Sequence, residues 1–265
     1  MSKKFSILIV MIQLLAVCVC YAREATIYTD ADAGNYLYEP YANFGNDVGL
    51  IIQDARARKV FFHFDVSALE GFTVDSVEMN VYVAWVEDEY NTTANQYPVE
   101  VYKVDSQWNE SYLSWQRRDN GVFWECIATV PSSDPNYNRG GDYSTLISNE
   151  YNLSNTTGLK TVAAGQELVN LVQGWIDGTI PNYGIMIMRL SKDPGNSHSR
   201  VIARREAYEQ SKHVQLSIVY HQGDKVNCDA TWNVNNVAYG DLNKDCEVDF
   251  SDLSILASNW LDSIN

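Results

Sequence analysis

Histidine is scarce: only His63, His198, His213 and His221 occur, and no two of them stand at metal-ligand spacing. The chain also lacks a Gly-x-Ser-x-Gly elbow, a phosphate-binding Gly-rich loop and a cysteine–histidine pair with local context. Common nucleophilic, zinc and nucleotide chemistries therefore have no motif to rest on. Aspartates and glutamates could in principle cleave a glycoside, and His with Tyr could run a lyase elimination. Nothing beyond their availability points to either, so the chain reads as a non-enzyme. Basic residues are also few, 19 Lys and Arg against 34 Asp and Glu, for a net charge of −15. That balance argues against a nucleic acid or an anionic membrane surface as partner, while leaving room for a local basic groove.

Long apolar runs are confined to the N-terminus. Phe5 to Cys20, interrupted by Gln13, follows Lys3 and Lys4 and ends in Cys20-Tyr21-Ala22. This is the pattern of a secretory signal peptide cleaved after Ala22, and the run is too short to predict a membrane span. Leu15-Ala16-Val17-Cys18 offers a lipoprotein alternative, with Val17 bulky for that role. Removing residues 1–22 takes two lysines and no acid, moving the net charge from −15 to −17. Three cysteines remain, Cys126, Cys228 and Cys246. In an exported protein Cys228 and Cys246 are a candidate disulfide, which leaves Cys126 as a buried thiol.

What remains has room for one large β domain and an appendage. Val60-Phe61-Phe62-His63-Phe64, Val77 to Val83, Val99 to Tyr102 and Val214 to Tyr220 are rich in β-branched and aromatic residues, several with period-two alternation. Short strands of this kind between turn residues predict a β-sandwich. Between Gln166 and Asp177 the period changes: Leu168, Leu171, Val172, Trp175 and Ile176 share one helical face, and Gly178 follows as a stop. One short helix is expected there, capping an end of the sandwich. Pro131 to Thr161 lacks periodicity and reads as a long excursion. A polar linker opens after Tyr220.

Near the C-terminus, Asp241-Leu-Asn-Lys-Asp-Cys-Glu-Val-Asp-Phe-Ser-Asp252 puts carboxylates or carboxamides at positions 1, 3, 5, 9 and 12 of a twelve-residue loop. Oxygen donors at these positions, with a backbone carbonyl at position 7, are calcium-loop chemistry. The expected Ca²⁺ ligands are Asp241, Asn243, Asp245, Glu247 through its carbonyl, Asp249 and Asp252. Cys246 stands where a Gly usually turns the loop, and Asp252 where a Glu is usual. Leu253, Leu256, Ala257, Trp260 and Leu261 then draw an apolar face on a short helix. The stretch from Gly240 to Leu261 closely resembles a dockerin repeat. That resemblance implies attachment to a cohesin-like protein in an extracellular assembly, although dockerins carry two repeats and only one is clear here. Alternatively, the loop simply staples the C-terminus. A lone loop–helix buries too little apolar surface to stand by itself.

The larger domain resembles the DNRLRE domain, related to family 96 carbohydrate-binding modules. The resembling blocks are Tyr41-Ala42-Asn43-Phe44-Gly45, Val60 to Ser67, Val101 to Val104 with Trp108-Asn109-Glu110, and Ser114-Trp115. Trp175 to Gly178, Pro181 to Gly184 and Arg204-Arg205-Glu206-Ala207 follow in order. The resemblance implies a jelly-roll sandwich in a secreted bacterial protein that binds polysaccharide, alginate or another plant or algal glycan. A second Arg at 204 and His63 in place of a basic residue depart from the family pattern. The implied organisation is a signal peptide at 1–22, a sandwich at 23–221, a linker at 222–236 and the calcium segment at 237–265.

Two kinds of contact suit a sugar chain: aromatic rings on sugar faces, and Arg or Lys forks on carboxylates and hydroxyls. The aromatic candidates Trp108, Trp115 and Trp175 read mainly as core. Arg56, Arg58, Lys59, Arg204 and Arg205 are the candidate ligand-binding cations, forming a basic patch if the fold unites their neighbourhoods. In the plainer reading they are solvated or paired with Asp65 and Glu206, and Lys59 or Arg205 is a structural anchor. A cell-surface adhesion protein with no glycan ligand is the rival function.

Overall fold

The computed structural model describes residues 22–45, 47–53, 58–87, 97–125, 140–189, 199–222, 242 and 252–256. They fall into two compact units, the larger comprising Glu24–Glu70 and Val74–Tyr220. The strands in chain order are β1 (Arg23–Tyr28), β2 (Ala31–Tyr36), β3 (Gly49–Gln53), β4 (Arg58–His63), β5 (Phe72–Glu87), β6 (Val99–Val104), β7 (Arg117–Asp119) and β8 (Val122–Phe123). After them come β9 (Tyr143–Ser148), β10 (Gly158–Ala164), the helix α1 (Gln166–Ile176), β11 (Ile185–Arg189), β12 (Ser199–Ala203) and β13 (Gln215–Gln222). One sheet runs β1-β13-β5-β12-β3 with β10 also on β5, a second runs β2-β4-β11-β6-β9, and β7-β8 is a separate hairpin. This is an all-β sandwich. Among the described residues no helix is long and apolar enough to cross a membrane.

The main core lies between the sheets, where Val60, Phe62 and Phe64 meet Val81, Val83, Ile187 and Ile202. Alternate residues of a strand face opposite sides, so Lys59 and Phe61 point to the other face of the second sheet. That face is also covered. Phe61, paired across the sheet with Ala33 and Met186, packs with Leu113, Trp124, Tyr143 and Met188 in a second apolar cluster. Burial on both faces explains why Val60-Phe61-Phe62 and Ile185–Met188 read as unbroken apolar runs. Emptying the Phe61 site would cost about 3–5 kcal/mol.

The helix forms where its periodicity predicts, and Leu168, Leu171, Val172, Trp175 and Ile176 join the main core. It ends because Gly178, at φ +68°, adopts the left-handed conformation that residues with a Cβ avoid. The excursion expected over 131–161 needs correction: it contains β9 and the start of β10. β9 pairs with β6 through two register shifts. Such bulges break the period-two pattern by which a strand is read from sequence. Residues 131–139 lie outside the described residues.

Candidate functional site

The segment after β2 supplies one wall of the candidate site. Pro40 sits in a turn closed by Ala42 N–H donating to the Glu39 carbonyl at 3.1 Å, a position for which its ring presets φ. The Pro40 carbonyl accepts the Gln116 N–H at 3.0 Å, tying this segment to the β7–β8 hairpin. Asn43 locks the other end: its Nδ2 donates to the Glu110 and Leu113 carbonyls, each at 2.8 Å, and its Oδ1 accepts the Gly45 N–H. Position 45 must be glycine, because a Cβ there would lie 2.6 Å from Asn43 Oδ1 and 2.8 Å from the Glu110 carbonyl.

Two arginines each pack against a pair of aromatic rings on this frame. The Arg58 guanidinium lies 3.9 Å from the Tyr36 ring centroid and 5.7 Å from that of Phe44. Arg117 lies 5.4 Å from Tyr41 and 5.6 Å from Phe123. No carboxylate among the described residues pairs with either. Tyr38, Tyr41 and Phe123 remain 70%, 63% and 53% exposed, and Tyr38 meets Tyr36 edge-on at 5.3 Å. Rings with exposed faces beside guanidinium groups free of carboxylates can stack on sugar and fork onto carboxylate together.

Arg204 and Arg205 are differently placed. Arg204 Nε donates to Asp32 Oδ1 at 3.1 Å and meets Glu206 at 2.9 Å. Arg205 pairs with Glu110 at 2.9 Å and with Glu206, and its backbone N–H donates to Asp32 Oδ2. The network ties β2 to the loop of Glu110 and the exit of β12. Three carboxylates face two guanidinium groups, and burial pushes the Asp32 carboxyl up to about 6. The carboxylate oxygens of Asp32, Glu110 and Glu206 are close enough to share a cation, but the arginines already occupy them.

Lys59 is 1% exposed, with Nζ 4.4 Å from the Trp115 ring and 4.9 Å from Tyr143. It sits inside the second apolar layer, away from solvent. Arg56 lies outside the described residues. The four described candidate cations thus part company: Arg58 reaches the aromatic surface, Lys59 is enclosed, and Arg204 and Arg205 join an ion network. Glu206 is a partner as the sequence suggests. Among the described residues Asp65 pairs with none of these cations, and its Oδ1 accepts the Ser67 N–H at 2.9 Å. Trp115 and Trp175 are buried, and Trp108 Nε1 donates to the Tyr183 carbonyl at 2.8 Å. His63 stands 2.7 Å from Asp30, which raises its pKa and makes it a conditional cation. Sequence reasoning missed Arg117, Tyr38, Tyr41, Phe123, Glu110 and Asp32 as site or support residues. The stretch Ser114-Trp115-Gln116-Arg117-Arg118 held a usable signal, cations directly after an aromatic turn.

Of the calcium loop, Asp252 is described, whereas Asp241, Asn243, Asp245, Glu247 and Asp249 lie outside the described residues, as do Cys126, Cys228 and Cys246. Asp252 is 2% exposed and opens the helical residues 252–256. Its Oδ1 accepts the Leu242 N–H at 2.5 Å, so position 12 turns back onto position 2.

A sandwich that presents exposed aromatics beside cations free of carboxylate partners among the described residues, on a scaffold buried on both faces of one sheet, has the surface of a binding module. The family model of carbohydrate-binding module family 96 matches residues 25–168, more than half of the chain, and the chain belongs to that family. It is a non-catalytic carbohydrate-binding module. No curated protein matches it.

Proposed function

We propose that this is a secreted jelly-roll module of the DNRLRE type that binds an acidic polysaccharide through Tyr38, Tyr41, Phe123, Arg58 and Arg117. One observation carries the reading: Arg58 and Arg117 each pack against two aromatic rings with no carboxylate partner among the described residues, on a chain of net charge −15. Local positive charge on an acidic body selects a polyuronate such as alginate or pectin, and the flanking rings take sugar faces. Ring packing fixes each guanidinium before the ligand arrives, which reduces the entropy lost on binding.

The C-terminal segment is a dockerin-like calcium device that attaches the module to a cohesin-like protein in a polysaccharide-degrading or cell-surface assembly. Asp241, Asn243, Asp245, the Glu247 carbonyl, Asp249 and Asp252 would hold the ion, whose binding energy would serve folding of the segment. The turn of Asp252 onto Leu242 fits that loop, since it closes the two ends together. Leu256 on the following helix is 54% exposed, which leaves apolar surface for a partner.

Affinity-gel electrophoresis of the secreted chain against alginate and pectin tests the binding reading. Retardation by a polyuronate is expected. Free migration through both gels would refute it.

A further inference from the structure

The outer face of the sheet containing β5 carries an exposed tryptophan and a half-buried tyrosine that the arginine–aromatic surface does not use. Val81 and Val83 point into the main core, so their neighbour Tyr82 faces outward, beside Leu159 on β10. Simple alternation would send Trp85 inward. A bulge prevents this: Val201 pairs with Trp85 and Ile202 with Val83, one residue on β12 spanning two on β5. The extra residue returns Val86 to the core and leaves Trp85 outward and 64% exposed. Bulges recur next to functional sites because they re-aim a side chain in this way. An exposed tryptophan on an open sheet, against the outward Val201 and Ile51 of the neighbouring strands, is a costly feature for a soluble surface.

Along the same strand the outward positions become polar. Thr161 Oγ1 donates to Asn80 Oδ1 at 2.9 Å, and Asn80 Nδ2 donates to Ser217 Oγ at 3.3 Å. Beyond them a groove of about 500 Å³ is lined by Glu24, Thr26, Ser76, Glu78, Ser217 and Val219. The cation touching Tyr82 is Lys212, 5.5 Å from the ring and already paired with Glu209 at 2.9 Å. The described residues that line the groove include carboxylates and hydroxyls but no cation, a lining that repels a polyuronate and accepts hydrogen bonds from sugar hydroxyls.

We propose that this face is a second carbohydrate-binding platform, selective for a neutral, extended β-1,4-linked chain. Trp85 and Tyr82 stand three residues apart, on the order of 10 Å along a strand, roughly the repeat of two pyranose units in such a chain. The rings take apolar sugar faces, and the groove past Asn80 receives hydroxyls. The module would then hold two polymers of different charge, one on its arginine–aromatic surface and one on the outer face of its sheet.

Isothermal titration of the mature chain with cellohexaose, mannohexaose and xylohexaose, beside an alginate hexasaccharide, tests this. The parent is expected to bind at least one neutral hexasaccharide with quenching of tryptophan fluorescence. Trp85→Ala should weaken that binding about tenfold or more while leaving alginate binding and the melting temperature unchanged. Arg58→Gln/Arg117→Gln should do the reverse, so failure of either surface is visible independently. The proposal is overturned if no neutral hexasaccharide binds, if Trp85→Ala and Tyr82→Ala bind it as the parent does, or if the arginine variant alone loses it.

Discussion

Arg204 Nε lies 3.1 Å from Asp32 Oδ1, and the two side chains are 6% and 0% exposed. Removing the guanidinium would strand a buried carboxylate. Arg204→Ala is therefore expected to cost about 3–5 kcal/mol, measured by urea denaturation at neutral pH. Arg205, 31% exposed, should cost less when replaced. An Arg204→Ala variant as stable as the parent would show that the network does not support the fold.

The same network predicts a pH dependence. Burial, with help from the nearby Glu206 carboxylate, pushes Asp32 from 3.8 to about 6. As pH rises, the unfolded carboxyl loses its proton first, so the folded state holds more protons between 3.8 and about 6. The contribution of Asp32 is then fully present below 3.8 and lost as pH climbs through about 6, by up to about 3 kcal/mol. Glu206→Gln should lower the Asp32 pKa and move this window down. Denaturation midpoints of parent and variant from pH 3.5 to 7.5 check it, and superimposable profiles would contradict it.

Gly184 closes the Pro181–Gly184 block at φ +84°, and a Cβ there would collide with the Phe62 carbonyl. Phe62 lies in the inner strand β4, which cannot yield without disturbing both cores. Gly184→Ala is expected to lose about 3 kcal/mol, read from the shift in denaturant midpoint. Gly71→Ala offers a control with the same positive φ but open space around the site, and it should lose less.

Much of this arrangement was legible in the chain. The helix was plain because a 3.6-residue apolar period ends at a glycine, and β4 because Val60-Phe61-Phe62 is too apolar to lie anywhere but inside. β2 gave no signal, since Ala31-Asp32-Ala33-Gly34-Asn35 has low strand propensity. It becomes a strand through pairing with β4 over Ala31–Tyr36, and it carries the aspartate the network needs. Lys59 and Arg58 look alike in sequence. Alternation across β4 separates them, sending one under Trp115 and the other against Tyr36. The re-aiming of Trp85 was invisible too, because a bulge depends on the partner strand.

The C-terminal loop predicts a calcium requirement confined to that segment. Titrating Ca²⁺ into the EDTA-treated protein should give a saturable heat that Mg²⁺ does not reproduce. Asp241→Ala/Asp245→Ala should abolish it without altering glycan retardation. Calcium-independent behaviour of the intact chain would refute the ligand set of Asp241, Asn243, Asp245, Glu247, Asp249 and Asp252.

Arg58 and Arg117, each packed against two aromatic rings, are proposed to recognise the carboxylates of an acidic glycan. Calorimetric titration of an alginate hexasaccharide into the parent and into Arg58→Gln/Arg117→Gln, at low and high salt, tests it most directly. Charge-assisted recognition predicts that parent affinity falls as salt rises and that the variant binds at least about tenfold more weakly at low salt, with an unchanged melting temperature. Equal affinity of parent and variant, or affinity indifferent to salt, would contradict it.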